Sequence, residues 1–435
     1  MKPRKPGARP ALRRGRTHWL VAAFVLGGAA ICCWPQALGA ADSVDAQTVK
    51  QLMSRIDDLQ KRVSELEAQK AGAANTPSQT ASGQTAPAPP PPPPSPEPSA
   101  DAGGHTMTVP GGLQMRIQGF AHTGFTDSDE KGATSSFFLG NFDLFITSQL
   151  SEQFRVLSEL TFEPGEDSND MGVDLERMQL LYTPNEHLQW SFGRSHTNIG
   201  YYNTAFHHGN WFETATDRPL LFRFEDDGGP LPTHNVGLSA TGLIYGGKLG
   251  LHYVADFGNG RPARHAEFST VQNSFDENNG KDFNLGLYVR PDWLRGLQAG
   301  ISVYHDHLTP DVLPRIDEII PIVHVVYITP KFEFLNEGVL IRHAFDQSHR
   351  VLNESGFYTL ISREWHTLRP YFRYQYINTS ALDPVIGDLG RQDGPSLGLR
   401  YDWTEYAAFK IQYDRTERRG LDPVNGATAL MAFTF

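Results

Sequence analysis

The side chains with chemical potential fall into four groups. Gly394-Pro395-Ser396-Leu397-Gly398 has the G-x-S-x-G spacing of a hydrolase nucleophile, which works only on a sharp turn between a strand and a helix. Here the run leads into Leu397, Leu399, Tyr401 and Trp403, an alternating pattern that reads as a strand. His196, His207 and His208 lie near Tyr201, Tyr202 and Trp211 without H-E-x-x-H or similar ligand spacing, so aromatic loop packing is preferred over metal binding. The third group is a set of cations: Arg116, Arg155, Arg177, Arg369, Arg373, Arg400 and Lys410. The fourth is the acids Glu213, Asp217, Glu225, Asp226 and Asp227, all within the polar stretch 195–232. No catalytic residue, metal ligand or cofactor is assigned, and an enzyme is not expected.

The elements that would position these residues are strands. From about Leu113 onwards apolar side chains alternate with polar ones, as in Leu188, Trp190 and Phe192 against Gln189 and Ser191, or Phe283, Leu285, Leu287 and Val289 against Asn284 and Gly286. A strand shows this period when its two faces meet different media. Sixteen such runs occur, from 113–120 to 427–435, and short connections such as Ser151-Glu152 and Thr329-Pro330 alternate with longer polar ones. If the apolar face points outward, the seven cations point inward. They fall on the first, third, fourth, thirteenth, fourteenth and fifteenth runs, which share one arc if the first pairs with the last. Asp143, Glu159, Asp402 and Asp414 offset this basic arc only lightly.

The remaining chain divides into three parts. Residues 1–40 read as an export signal, with seven basic residues ahead of the apolar stretch Trp19–Cys33 and small residues at Ala37-Leu38-Gly39. Both cysteines leave with it, so no disulfide or thiolate site remains. Residues 44–70 carry Val49, Leu52, Ile56, Leu59, Val63 and Leu66 at heptad spacing, a coiled-coil helix with β-branched residues at a and leucine at d. Residues 71–110, with six consecutive prolines at Pro89–Pro94, read as a disordered, solvated linker. The whole chain has 435 residues and a net charge of −11, more negative once the basic leader is removed, which excludes nucleic acid as a partner. Mean hydropathy is −0.39. No apolar run after the leader could cross a bilayer as a helix, although a barrel remains possible because only half its strand residues meet lipid.

The ending Met431-Ala432-Phe433-Thr434-Phe435 places alternate apolar residues on one face and closes on an aromatic. It resembles the terminal assembly strand of outer-membrane barrel proteins. The loop rhythm resembles sixteen-stranded Gram-negative porins, and the leading coiled coil and linker are similar to the phosphate-selective porin O/P-like group. The fold class expected for 111–435 is therefore all-β, a transmembrane antiparallel barrel in the bacterial outer membrane, with the coiled coil in the periplasm. The resemblance implies a pore for small hydrophilic solutes or ions, contact with lipid and lipopolysaccharide, and a homotrimer, although the heptad chemistry leans towards a dimer. It also implies that the third long loop, 195–232, narrows the lumen, its acids facing the basic arc and setting a transverse field. Tyr371, Phe372, Tyr374 and Tyr376 read as interfacial aromatics. Anion or cation preference stays open, as do a structural tether to the cell wall and a barrel-scaffolded hydrolase. On the pore reading, neutral residues at Arg116, Arg373 and Arg400 shift selectivity towards cations. Unchanged reversal potentials in planar bilayers would contradict it.

Overall fold

The computed structural model describes residues 105–108, 114–165, 170–206, 209–225, 227–244, 247–262, 274–310, 313–386 and 389–435. The expected leader, coiled coil and most of the linker lie outside the described residues.

Sixteen long strands follow a short one, β1 (His105–Thr108). They begin with β2 (Gln114–Ser128), β3 (Ser136–Gln149), β4 (Phe154–Pro164), β5 (Met171–Asn185) and β6 (Leu188–His196). After a long excursion come β7 (His234–Leu243), β8 (Leu251–Gly258), β9 (Asp282–Val289), β10 (Leu297–Leu308) and β11 (Ile316–Thr329). The rest are β12 (Phe332–Phe345), β13 (Val351–Arg363), β14 (Leu368–Asn378), β15 (Arg391–Asp402), β16 (Ala407–Arg418) and β17 (Val424–Thr434). Each pairs antiparallel with the next, and β17 pairs with β2, which closes the barrel and leaves none of the sixteen as an edge. All sixteen runs seen in the sequence are strands, and most extend several residues further at the end where the long loops emerge. Polar loop-end residues such as Thr126 and Ser136 break the alternation but still pair, because the ladder needs only their backbones.

Closure ends at the terminal residue. Gly119 and Phe435 exchange backbone hydrogen bonds of 2.9 and 3.0 Å, and the Phe435 ring lies over Gly119, where a Cβ would stand 2.3 Å from it. Beyond that point β2 has no β17 partner, and β1 pairs with Gln114–Ile117 instead.

The outer face is apolar and exposed over many strands, with Trp190, Phe192, Leu285, Val323, Leu397 and Tyr413 among its residues. The inner face departs from simple alternation. On β10–β13 the inward positions include Tyr304, Ile320, Ile322, Val326, Leu335, Val339, Ile341, Tyr358 and Leu360, all buried, and on β14 Tyr371 joins them. These apolar side chains share the inner face with buried polar ones such as Glu318, Glu337 and Arg373, and the water-excluded apolar positions require a cover on that side. The cover is the connection 197–233, which folds into the barrel and carries α1 (Tyr202–Ala205) and two 3-10 turns, Asn210–Phe212 and Leu220–Phe222. Tyr202, Phe206, Leu221 and Phe222 pack on that wall, and Phe212 meets Phe120 on β2 edge-to-face at 4.6 Å. The barrel therefore has a packed core of its own inside.

At the loop end a second set of contacts ties neighbouring loops. His343 on β12 bonds Glu318 on β11 at 2.7 Å and Asp383 in the connection 379–390 at 2.6 Å. Arg261 reaches Glu318 at 3.2 Å and the Pro230 carbonyl at 2.9 Å. Burial pushes the Asp383 carboxyl up, but the His343 hydrogen bond and charge together with the Val385 and Ile386 backbone N–H groups outweigh it and hold the group below its ordinary value. A folded-state value below the unfolded one adds stability above the unfolded value and loses it as pH falls through the folded one. Proteolytic protection of 379–390 is thus expected to hold at neutral pH and to fail only at pH below about 4, whereas loss near pH 6 would contradict the pairing. Truncation of the core ring in Phe222→Ala should destabilise by about 3–5 kcal/mol, read as a lower urea midpoint in lipid vesicles, with an unchanged midpoint counting against the packed interior.

Candidate functional site

The connection 197–233 is rooted by short bonds between its two stems. Thr197 N–H donates to the Thr233 carbonyl at 2.9 Å, and Asn203 Nδ2 donates to the Thr197 carbonyl at 2.8 Å. Gly200 then turns the chain with φ +69°, a conformation that favours glycine. A Cβ there would stand 2.4 Å from a Glu337 oxygen. The turn aims the N–H groups of Tyr201 and Tyr202 at the buried Glu337 carboxylate, at 2.6 and 2.9 Å, and Tyr358 donates its hydroxyl at 2.7 Å.

From there the loop runs onto the arc where the sequence places most cations. Arg373, fully buried, pairs with Asp217, its Nη2 donating to both carboxylate oxygens at 2.9 Å and its Nη1 to the Asp217 carbonyl at 2.8 Å. Lys410, also fully buried, donates to Asn210 O at 2.5 Å, Asn210 Oδ1 at 2.6 Å and Ala215 O at 2.8 Å. Arg400 donates to the carbonyls of Trp211 and Glu213 at 2.7 and 2.8 Å and stacks over the Trp211 ring. The loop therefore lies against this part of the basic arc, and no gap separates Asp217 from Arg373 for a transverse field to cross. Direct contact wins because an uncompensated buried cation costs several kcal/mol. Burial pushes the Glu213 carboxyl up despite Arg218 at 3.9 Å and nearby Lys410.

The other expected residues are spread out. Arg177 is buried against Glu159 at 2.5 Å, and Arg369 pairs with Glu364 at 2.6 Å. Arg116 and Arg155 are half-buried on the inner faces of β2 and β4. Glu225 lies 3.6 Å from His234, Asp227 is exposed, and Asp226 lies outside the described residues. Ser396 sits in mid-strand on β15, buried beside Arg373, with no strand–turn–helix elbow. Tyr371 is not an outer-face aromatic: it points inward and donates to Gln412 at 2.6 Å, while Phe372 on the opposite face is exposed. Its ring covers Gly398, its cross-strand partner, which leaves space for it.

Between the loop and the turn end, a cavity of about 520 Å³ opens along the inner faces of β5–β11. Its polar lining includes Gln179, Gln189, Ser191, Ser239, Thr241 and Gln298, its arginine and histidine side chains are Arg177, His196, Arg290 and His324, and Tyr201 and Tyr288 complete its titratable groups, with no carboxylate among them. A second cavity of about 510 Å³ lies across Arg290 and Gln298, bounded by Arg369, Arg400 and two acids, Glu333 and Asp402. Arg290 borders both. It is held by Gln298 at 2.8 Å and stacks on Tyr288, and among the described residues no carboxylate lies within ion-pair distance. The sequence reading missed Arg290. The signal was the inward series Asn284, Gly286, Tyr288, which continues one step past the strand to reach it.

No family model matches the chain, and no curated protein matches it. Among solved structures it is similar to Salmonella typhi OmpF in complex with daunomycin, with TM-score 0.53, 11% identity, and 76% of this chain and 100% of that one covered. An anion-selective porin from Comamonas acidovorans gives TM-score 0.51 at 12% identity, covering 74% and 100%. The outer membrane channel DcaP of Acinetobacter baumannii gives 0.51 at 9%, covering 76% and 99%. At such identities the likeness shows the fold, and the loop contacts of this chain have to be tested on their own residues. Lys410→Met takes the ammonium from Asn210 Oδ1 and the Ala215 carbonyl and leaves the Asn210 carbonyl only the Glu213 N–H, and is expected to cost at least about 3 kcal/mol. It should also expose 209–217 to protease while the barrel stays folded. Wild-type resistance in that variant would contradict the docking.

Proposed function

We propose that this protein is an outer-membrane channel through which small hydrophilic solutes diffuse passively, with a preference for anions. The observation that carries this reading is the 520 Å³ cavity beside the docked loop, whose arginine and histidine side chains meet no carboxylate in the lining and whose remaining polar lining is amide, hydroxyl and phenol. Amides and hydroxyls replace the hydration of polar solutes, and apolar solutes gain no such compensation. Arg290, uncommitted to a carboxylate and facing both cavities, supplies the positive potential an anion would meet along the path. The apolar outer face suits a surrounding bilayer, with the loop end outward against lipopolysaccharide and the turn end, where β2 starts and β17 stops, in the periplasm. On the same reading residues 1–40 direct export, the coiled coil stands in the periplasm, and three barrels assemble side by side.

Arg373 and Arg400 anchor the loop, so changing them mixes selectivity with loop docking; Arg290 tests selectivity alone. Proteoliposomes carrying the wild type should swell in neutral sugars and faster in an organic anion of equal size. Arg290→Gln should remove most of the anion advantage and leave the sugar rate within about twofold. No swelling in any solute, or an anion advantage untouched by Arg290→Gln, would overturn the proposal. Chemical cross-linking in detergent is expected to capture trimers, and dimers as the sole species would contradict that assembly.

A further inference from the structure

One cluster on the inner wall is used neither by the loop's anchors nor by the selectivity argument. Glu176 on β5, His196 at the end of β6 and His234 at the start of β7 stand side by side on three adjacent strands, and His196 and His234 are direct cross-strand partners. All three are buried, and one nitrogen or oxygen from each lies within 4.8 Å of the others. The imidazole rings are 5.0 Å apart, and His234 Nε2 is 2.7 Å from a Glu176 oxygen.

We propose that Glu176, His196 and His234 bind one divalent transition-metal ion of the zinc class. Two imidazoles and one carboxylate form a donor set this class favours over calcium or magnesium, which take oxygen ligands. Bonds of about 2.0–2.2 Å put tetrahedral donors about 3.3 Å apart, so the His234–Glu176 contact opens by roughly half an ångström as the ion replaces the proton it shares.

The surroundings have the form of an outer shell. His196 Nδ1 is 3.0 Å from the Asn203 carbonyl, and His234 Nδ1 is 3.6 Å from Glu225. His196 is held by its Nδ1 side, and the 2.7 Å Glu176 contact turns His234 Nε2 into the cluster, which makes Nε2 the nitrogen an ion would take. Asp174 and Glu225 outweigh the one nearby cation, Arg194, whose Nε donates to the Glu176 backbone carbonyl. An entry path exists, because His196 lines the 520 Å³ cavity. The ligands flank both stems of the connection 197–233, and Asn203 and Glu225 belong to that loop, so the ion would clamp its base.

Two other His-containing groups are weaker candidates. His343 is hydrogen-bonded to a carboxylate at both ring nitrogens, at 2.7 and 2.6 Å, whereas His234 holds only Glu176 that closely. His305, His307 and Asp317 lie on the outer face, where His307 already bonds Asp317 at 2.5 Å. They serve as internal controls.

The test is zinc titration of the full-length protein in detergent, stripped with EDTA, by isothermal calorimetry at neutral pH. One saturable ion per chain and a rise in Tm with zinc are expected. His196→Gln and His234→Gln should abolish binding, Glu225→Gln should weaken it about 10–100-fold, and His305→Ala/His307→Ala should leave it unchanged. If the histidine variants do not fold, X-ray absorption of the zinc-loaded wild type decides, since two imidazoles in the coordination shell are required. Absence of saturable binding, binding that survives both histidine substitutions or fails in the outer-face double variant, or a shell lacking imidazole would each overturn the assignment.

Discussion

Two cations on the inner wall, Arg373 and Lys410, are completely withdrawn from water, and neither could be so without the loop that reaches them. A buried charge without partners costs several kcal/mol, and three good acceptors around an ammonium remove most of that penalty. The dependence runs both ways. The loop crosses the barrel with very little regular structure, so its carbonyls at Asn210, Trp211, Glu213, Ala215 and Asp217 need donors, and Arg373, Arg400 and Lys410 supply them. Wall and loop each complete the polar groups of the other, and the buried side chains of the apolar wall on β10–β14 fill in beneath.

That mutual satisfaction fixes where water can go. On the side of β10–β16 the loop is packed against the wall by rings and ion pairs. Facing β5–β11 towards the turn end the inner wall stays polar, and the space left there is lined by amides, hydroxyls and basic groups. On the proposed channel reading, a passage narrowed by the loop on one side and bordered by Arg290 suits size-limited, charge-biased diffusion over tight binding.

Much of the barrel was legible in the sequence. Runs such as Leu188, Trp190, Phe192 and the final Met431, Phe433, Phe435 alternate because their two faces meet different surroundings, and all sixteen strands followed from that. The alternation failed at Ile319–Val326, where Ile320, Ile322 and Val326 point inward while Val323 and Val325 point out. Period-two reading assumes that one face is wet, and here the loop keeps water off the inner face while the outer face is apolar. The third loop stood out by length and acidity, yet its partners were invisible: Asn210 and Lys410 are 200 residues apart, and no local pattern encodes such a pairing. Arg373, Arg400 and Lys410 of the expected arc meet the loop, but the sequence could not tell Arg373, committed to Asp217, from Arg290, for which no acid lies in ion-pair reach among the described residues. His196 was read as loop packing because its companions Glu176 and His234 come from neighbouring strands and only register brings them together.

The central claim is that the docked loop leaves a water-filled passage whose charged groups are basic. The most direct test is the reversal potential of the wild-type protein in a planar bilayer under a potassium chloride gradient. The account predicts stable conductance steps and a reversal potential of the sign set by chloride, shrinking towards zero as salt screens Arg290 and its neighbours. A reversal potential of the sign set by potassium, or a membrane that never conducts, would contradict it.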